Sequence, residues 1–460
     1  MSVPGSFDSN LLISRPRSFF GEPPALGFLS FTEAWERFSY YGMTALMVLY
    51  MSQQLLLAGH VEHVAFFAGF RALLEQVFGP MSNLALASQI LGLYTGLVYF
   101  TPVFGGLVAD RWTGRRNAVV LGAVLMSAGH IAMAFDVSFL AALLLLIVGC
   151  GLLKGNISAQ VGELYGEHDG PGRTRGFSIY SMGINVGAVT GPLGCGLMAQ
   201  LYGWHAGFGL AGLVMLLGLA TYLSGYRFLR EETPRRERAQ ARAPLTAGEL
   251  RVIAALVAVM ALTVFHSIAY YQNTNMNLVW IDRDVDLNLL GFHVPVAWFA
   301  SIDPFVSILA VPFLIALWRW QESHGGEPNE IVKISTGAFI ASAANLVLVA
   351  GILFSAHVTV LVPLIYDVLL GVAFLYYWPT LLALVSRTAP VGWKSTLMGC
   401  AFLSLFTGNI TLGRIGSLYE RMTPAQFWGL HAAIAAAGGV LALLLNRRLM
   451  RILVREDHTN

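Results

Sequence analysis

Three charged side chains lie close together in a mostly apolar stretch, "FTEAWERFSYYGMTALMVLYM" at residues 31–51. Glu33 and Arg37 are four residues apart and share one face of a helix, while Glu36 lies on an adjacent line. An acid or arginine at the centre of a membrane helix costs on the order of 2.5–3.5 kcal/mol by insertion scales. These side chains must therefore point into a bundle or a wet cavity, where they can bind a proton or a polar substrate.

A plainer interpretation of this stretch is a buried ion pair that only holds helices together. One acid and one arginine would suit that interpretation. Two acids, one arginine and two tyrosines on a single helix favour a proton or substrate site instead, and we adopt that hypothesis.

The composition of the chain places the stretch in a membrane. The chain has 460 residues, of which 56% are hydrophobic and 12% are charged, whereas a soluble domain is about 25% charged. Apolar stretches of roughly 20 residues recur along almost the whole chain, which predicts an all-α polytopic membrane protein. We find no nucleotide loop, metal-ligand spacing or nucleophilic triad, so we expect no enzyme, no metal and no cofactor.

The apolar stretches predict twelve membrane spans in two halves. The longest hydrophilic break follows the sixth span, so we expect an N-terminal six-helix bundle at residues 1–226, a cytoplasmic linker at 227–247 and a C-terminal six-helix bundle at 248–460. An amphipathic stretch at 59–80 joins the first two spans. The predicted spans are 28–52, 85–108, 117–135, 137–161, 174–200, 205–228, 248–279, 295–318, 331–354, 358–387, 394–419 and 425–446.

The basic residues predict the orientation of these spans. If both termini are cytoplasmic, the inner segments hold 22 of the 28 lysines and arginines. Basic residues favour the cytoplasmic side of a membrane protein. We therefore expect a multi-pass protein of the plasma (inner) membrane, with both termini inside the cell.

The loop "GGLVADRWTGRR" at 105–116 joins spans two and three. It resembles the signature loop of the major facilitator superfamily, whose plan is also twelve helices in two halves. The resemblance implies a gating loop, in which Asp110, next to Arg111, forms a latch that breaks when the halves rock. The alternative is a basic loop that has no gating role.

Three further stretches resemble one family within that superfamily. "EAWERFSYYG" in the first span is similar to the ExxERFxYYG motif of the proton-dependent oligopeptide transporter (POT, or peptide transporter) family. "FSIYSMGINVGAVTGPLGCG" at 177–196 is similar to the family's fifth-helix signature, and "GLLKGNISAQVGELY" at 151–165 to its fourth-helix segment. The resemblance covers about residues 28–415 and implies proton-coupled symport of di- and tripeptides by alternating access.

The family resemblance also implies roles for individual residues. It implies a coupled proton-binding cluster of Glu33, Glu36 and Arg37, with Lys154 in the cavity. The proton is the coupling ion, and short peptides are the expected substrates. The implied substrate contacts are Tyr40, Tyr41, Tyr99, Lys154, Asn185, Gln272 and Asp303.

The chain departs from the family pattern at the positions that grip the ends of a peptide. Thr44 replaces an arginine of the first helix, and Tyr271 and Phe374 replace glutamates of the seventh and tenth helices. Asp303 stands where the family has an asparagine, and Ala401 where it has a tryptophan. The site is therefore atypical, and another small zwitterion or a modified peptide is the alternative substrate.

These departures leave Lys154 without its usual partner. A buried lysine that lacks a counter-charge is driven towards neutrality. We therefore expect an ion pair of Lys154 with Asp303, or alternatively with Glu33 or Glu36, and we expect Asp303 to join the proton-coupling group. Asp303 or Asp367 could receive a substrate amino group, although Asp367 could equally be an exposed residue near the outer end of its helix.

Overall fold

A computed structural model describes residues 19–166, 169–229, 245–289, 291–355, 357–390 and 393–454. Within these residues, ten helices are long and apolar enough to cross a membrane. Two further long helices, Pro24–Tyr50 and Arg115–Ala132, occupy the predicted first and third spans and carry charged residues. The twelve predicted spans are therefore present as helices.

The first half of the chain provides six of these spans. Span two is interrupted at Thr101, and a one-turn π-helix, Ala109–Thr113, ends it. The amphipathic α2 connects spans one and two, as the sequence predicts. The helices are α1 Pro24–Tyr50, α2 Phe67–Phe78, α3 Asn83–Phe100, α4 Pro102–Val108, α5 Arg115–Ala132, α6 Phe139–Glu163, α7 Gly170–Tyr202 and α8 Trp204–Gly225.

The second half provides the other six spans. Four two-residue strands lie in its loops: β1 Val285–Asp286 pairs in parallel with β4 Val358–Thr359, and β2 Asn288–Leu289 pairs antiparallel with β3 Phe292–His293. The predicted linker falls largely on residues 230–244, which lie outside the described residues, so the proposed domain boundaries stay a prediction. The helices are α9 Ala247–Tyr270, α10 Met276–Asp284, α11 Ile302–Ser323, α12 Glu330–Phe354, α13 Leu361–Thr388, α14 Lys394–Gly416 and α15 Pro424–Val454.

The helix ends define two opposite faces of the molecule. The terminal face is the one at which α1 begins and α15 ends, and the distal face is the one at which α1 ends. Because the number of spans is even, both ends of the described chain lie at the terminal face.

A line of glycines brings α7 against α1. A Cβ atom placed on Gly183 or Gly187 would lie 2.7 Å or 2.4 Å from the carbonyl oxygens of Ser30 and Ala34. Only glycine allows two helix backbones to approach so closely. The fifth-span signature therefore fixes α7 beside the charged part of α1.

Span seven is broken in the middle of the bundle. α9 ends at Tyr270, a 3₁₀ turn covers Tyr271–Thr274, and α10 begins at Met276. Asn275 has a φ of −116° and a ψ of −108°, which is not helical. This break accounts for the alternating asparagines, since Asn273 and Asn275 follow an unwound backbone and direct their amides to different helices.

The two halves are joined on the distal side of the described structure. The Ser301 hydroxyl donates to the Val189 carbonyl (2.7 Å), and the Gln53 amide donates to Asp282 (2.6 Å). α3 and α14 also pack backbone to backbone, since a Cβ on Gly92 would lie 2.5 Å from the Asn409 carbonyl oxygen. The structure therefore has its halves in contact at the distal face.

Candidate functional site

A cavity of about 460 Å³ lies between the two halves. A pocket of this size accommodates a small molecule. Both halves contribute side chains to its wall, so it lies on the interface that would change if the halves moved. Its polar and aromatic lining includes Glu33, Arg37, Tyr40, Tyr41, Thr44, Thr95, Tyr99, Lys154, Ser181, Asn185, Tyr270, Tyr271, Asn273, Asp303, Phe374, Trp378 and Asn409.

The charged residues of α1 form one buried cluster. Arg37 Nε lies 3.3 Å from Glu33 Oε1 and also contacts Glu36, and all three side chains are buried. Glu33 additionally accepts a hydrogen bond from the Tyr180 hydroxyl of α7 (2.7 Å). Glu33 and Arg37 reach the cavity, whereas Glu36 lies behind them, outside the cavity wall.

The position of Lys154 differs from our expectation. Its ammonium lies over the Tyr99 ring, 4.5 Å from the ring centre, and both residues line the cavity. The expected ion pair with Asp303 is not formed in this structure, because the carboxylate of Asp303 is turned towards α9. Lys154 thus makes a cation–π contact and presents a positive charge to the cavity.

Asp303 sits at the start of α11, against the broken part of span seven. Its Oδ2 accepts hydrogen bonds from the Tyr270 hydroxyl and from the Asn273 amide (3.1 Å). Phe374 stacks on the Tyr270 ring at a centroid distance of 5.5 Å. Asp303 is therefore an oriented acid at the cavity wall, beside aromatic rings.

Most of the residues predicted from the sequence meet in this cavity. One predicted substrate contact does not: Gln272 is fully buried, and its amide lies 3.1 Å from His431 Nε2 and 3.4 Å from the Leu412 carbonyl. The 3₁₀ turn explains this correction, because it directs Tyr271 into the cavity and Gln272 away from it. The predicted residues that line the cavity are Glu33, Arg37, Tyr40, Tyr41, Tyr99, Lys154, Asn185 and Asp303.

The predicted gating loop forms ion pairs within the first half. Asp110 lies 3.6 Å from Arg115, which also contacts Glu163 at the end of α6. Arg111 is exposed, and Gly114 has a φ of +73°, which explains a glycine at that turn. The latch between moving halves stays a prediction.

Several residues of the site were not predicted from the sequence. Tyr180 is part of a recognised motif, yet only the fold shows that its hydroxyl reaches Glu33. Tyr270 donates its hydroxyl hydrogen bond to Asp303, whereas the family pattern points only to its neighbour Tyr271. Thr95 and Asn409 join the halves through a 2.9 Å hydrogen bond at the cavity wall, and their spacing in the chain gave no signal of it.

Asp367 is buried rather than exposed. Only 1% of its surface is accessible, so the alternative that placed it at the surface is wrong. It does not line the cavity, however, and its Oδ2 has no hydrogen-bond partner in the described part of the protein. His266 is buried as well, and its ring lies 4.4 Å from that of Tyr377.

The fold and the cavity together define a class of protein. Two six-helix halves that enclose a polar cavity near the centre of the membrane are the architecture of major facilitator transporters. The first half lines the cavity with Glu33, Arg37 and Lys154, and the second half adds the acid Asp303.

Comparison with known proteins identifies the family. The family model described as PTR2, POT family, matches residues 116–246 and 246–429, and the chain belongs to this family of transporters. It is 26% identical to the di-/tripeptide transporter of Lactococcus lactis subsp. cremoris, over 95% of this chain and 98% of the relative. It is 28% identical to the peptide transporter YePEPT of Yersinia enterocolitica, over 94% of this chain and 96% of the relative.

Solved structures agree with this assignment. The crystal structure of peptide transporter POT in complex with sulfate aligns with a TM-score of 0.83 and 26% identity, over 96% of this chain and 98% of that chain. The chain is therefore a multi-pass membrane transporter, and it is not an enzyme.

Proposed function

We propose that this transporter imports di- and tripeptides together with protons by alternating access. The observation that carries the proposal is the placement of Lys154 and Asp303 on opposite halves of one cavity. A peptide with free ends has a carboxylate for Lys154 and an ammonium group for Asp303. The relatives named di-/tripeptide transporter and peptide transporter support this substrate class.

The electrostatics of the cavity support recognition of the peptide ends. Arg37 is neutralised by two acids, whereas Lys154 makes only a cation–π contact among the described residues, so Lys154 is the cation that is free to bind a carboxylate. Asp303 accepts hydrogen bonds from two neutral groups and has no cation partner among the described residues, so its carboxyl group is available to an ammonium group. Binding through charged ends lets the aromatic wall accept different side chains.

The buried cluster of α1 supports proton coupling. Glu33 and Glu36 share a single arginine, so the cluster carries one acid more than it can neutralise. A buried carboxylate without a full counter-charge binds a proton readily. Protonation of either acid weakens the attachment of Arg37, which allows the cluster to respond to the pH on one side of the membrane.

The distribution of basic residues supports the orientation. The terminal face would be cytoplasmic and the membrane the plasma (inner) membrane, since most lysines and arginines belong to segments at that face. The structure would then be closed towards the outside of the cell. Import consists of opening at the distal face, loading, closing there and release at the terminal face.

A second candidate substrate is another small zwitterion or a modified peptide. Thr44 and Phe374 favour it, because they line the cavity at positions where the family pattern has charged residues. Thr44 bonds back to the Tyr40 carbonyl (3.0 Å) and offers no charge to a ligand. The pocket is therefore less polar at both ends than the family pattern implies.

Competition experiments separate the two candidates. Uptake of a labelled dipeptide into proteoliposomes is measured in the presence of unlabelled dipeptides, tripeptides, free amino acids, and peptides blocked at either end. We expect di- and tripeptides to compete, and free amino acids and blocked peptides to fail. Strong competition by a blocked or modified peptide, with none by dipeptides, would support the second candidate.

A further inference from the structure

Asp367 is a buried acid that the cavity does not use. It lies in the second turn of α13, only 1% of its surface is accessible, and its Oδ2 has no hydrogen-bond partner among the described residues. No described lysine, arginine or histidine forms an ion pair with it. A carboxylate buried without a cation or donor is so unfavourable that the group stays neutral and keeps its proton.

The surroundings of Asp367 tie it to the site. α13 packs on α11 one turn further along, where a Cβ on Gly371 would lie 2.7 Å from the Asp303 carbonyl oxygen and where Ser307 donates to the Gly371 carbonyl (3.0 Å). Asp367 precedes Gly371 by one helical turn, so it lies one turn from the residue of α13 that packs on Asp303. Its chain neighbour Tyr366 is a second titratable group and is also buried.

The same segment forms the distal joint between the halves. Ser301 and Trp298, immediately before α11, donate hydrogen bonds to the α7 carbonyls of Val189 (2.7 Å) and Leu193 (3.0 Å). Asp303 follows Ser301 by two residues. A charge on Asp367 therefore acts on the part of α11 that closes the distal side.

We propose that Asp367 is a proton-binding carboxyl whose protonation permits the distal side to close. This inference rests on the proposed proton-coupled transport and adds a second proton site to it. When the distal joint is open, Asp367 takes up a proton from that side and becomes a neutral acid, which can be buried. After closure the cavity opens at the terminal face and admits water. When this water passes the cavity wall and reaches Asp367, the O–H bond breaks and the water accepts the proton. Buried without a cation among the described residues, the carboxylate that remains destabilises the closed joint and returns the protein to the distal-open state.

Asp367→Asn tests this proposal, because the amide has the shape of the protonated acid but cannot titrate. The proton-to-dipeptide ratio is measured in proteoliposomes from the membrane potential at which an imposed dipeptide gradient gives no net flux. We expect Asp367→Asn to exchange dipeptide in counterflow and to lower the ratio by one proton. Tyr366→Phe, the matched control, removes a buried polar group at the next position and should keep the wild-type ratio.

An unchanged ratio in a folded, exchanging Asp367→Asn variant would overturn the proposal and make Asp367 a permanently neutral structural group. If that variant does not fold, infrared difference spectra between acid and alkaline pH are compared for wild type and Asp367→Glu. We expect the C=O band of one titrating acid to shift, and identical spectra would overturn the proposal. Failure of the wild type to couple dipeptide to protons would instead contradict the proposed function, and the infrared measurement would still test Asp367.

Discussion

At the residue scale, the charged cluster of α1 contains two acids, Glu33 and Glu36, but only one arginine. Arg37 binds both Glu33 and Glu36, and Glu33 also receives the Tyr180 hydroxyl. Glu36 lies behind the cavity wall and has an oxygen without a partner in the described residues. Glu36 is therefore suited to bind a proton, while Glu33 and Arg37 face the cavity.

The first prediction concerns Glu36. We expect Glu36→Gln to abolish proton-driven accumulation of dipeptide while counterflow exchange continues, since the glutamine cannot exchange a proton but preserves the packing around Arg37. Uptake against a concentration gradient and counterflow are measured on the same proteoliposomes. A Glu36→Gln protein that still concentrates substrate would show that the cluster only stabilises the fold.

The second prediction concerns Lys154. A charge-assisted hydrogen bond contributes on the order of 1.5–3 kcal/mol, so we expect Lys154→Ala to weaken dipeptide binding by roughly one to two orders of magnitude. The amide of the same dipeptide lacks the carboxylate, and its weaker binding should change little. If wild type binds the dipeptide and its amide equally, and Lys154→Ala alters neither, Lys154 does not bind the carboxylate.

The third prediction restores a missing residue. Thr44 lines the cavity at the position where the family pattern has an arginine, so we expect Thr44→Arg to tighten binding of the dipeptide relative to its amide. A buried arginine needs a counter-charge, and Glu33 or Asp303 could bind it instead of the substrate. Equal binding of dipeptide and amide by Thr44→Arg would show that the new arginine is occupied by one of these acids.

At the element scale, close helix packing positions the site. The backbone of α7 lies against α1 at the fifth-span glycines, which places Tyr180 and Asn185 beside the charged turn of α1. The broken span seven performs the same task in the second half, since its 3₁₀ turn brings Asn273 to Asp303. The site thus depends on two irregular features, a glycine line and a helix break.

The fourth prediction tests the glycine line. A methyl group on Gly187 would meet the Ala34 carbonyl oxygen at 2.4 Å, so we expect Gly187→Ala to destabilise the protein by about 1–3 kcal/mol through overpacking. The control is Gly209→Ala on α8, where a Cβ meets nothing within 4 Å. Thermal unfolding in detergent should show a lower midpoint for Gly187→Ala and no loss for Gly209→Ala. Equal unfolding midpoints for the two variants would mean that α1 and α7 can move apart without a loss of stability.

The sequence predicts the elements better than the contacts between them. Twelve apolar segments and the charged residues of the first one can be recognised in the sequence. Each membrane-spanning helix must itself be long and apolar, so its own residues reveal it. The orientation of Gln272 and the partner of Lys154 cannot be predicted from the sequence. Both depend on the break in span seven, which turns Gln272 away from the cavity and holds Asp303 away from Lys154. Likewise, the burial of Asp367 depends on how other helices pack around α13, which are contacts between residues far apart in the chain.

At the scale of the whole molecule, the two halves meet on the distal side around the cavity. Backbone contact of α3 with α14 accompanies hydrogen bonds from Ser301, Trp298 and Gln53 across the same joint. A transporter that alternates must break these contacts and form them again in each cycle. The joint is built from weak, reversible hydrogen bonds and glycine contacts, which suits that requirement.

The fifth prediction tests this joint. A valine at position 92 would collide with the Asn409 carbonyl oxygen, since a Cβ there already lies at 2.5 Å. We expect Gly92→Val to hold the distal side open, with faster hydrogen–deuterium exchange at the distal ends of α3 and α14 and with slower counterflow. Gly209→Val introduces the same side chain where there is space and should leave both measurements unchanged. Wild-type exchange rates in Gly92→Val would contradict a joint at this position.

The central claim of this account is that a proton gradient drives peptide import through the cavity. The most direct measurement is uptake of a labelled dipeptide into proteoliposomes of purified protein under an imposed pH gradient, acid outside, with a pH-sensitive dye inside. We predict accumulation above the external concentration together with internal acidification, and the loss of both when an ionophore dissipates the gradient. Dipeptide uptake that only equilibrates, with no acidification and no response to the gradient, would contradict the claim.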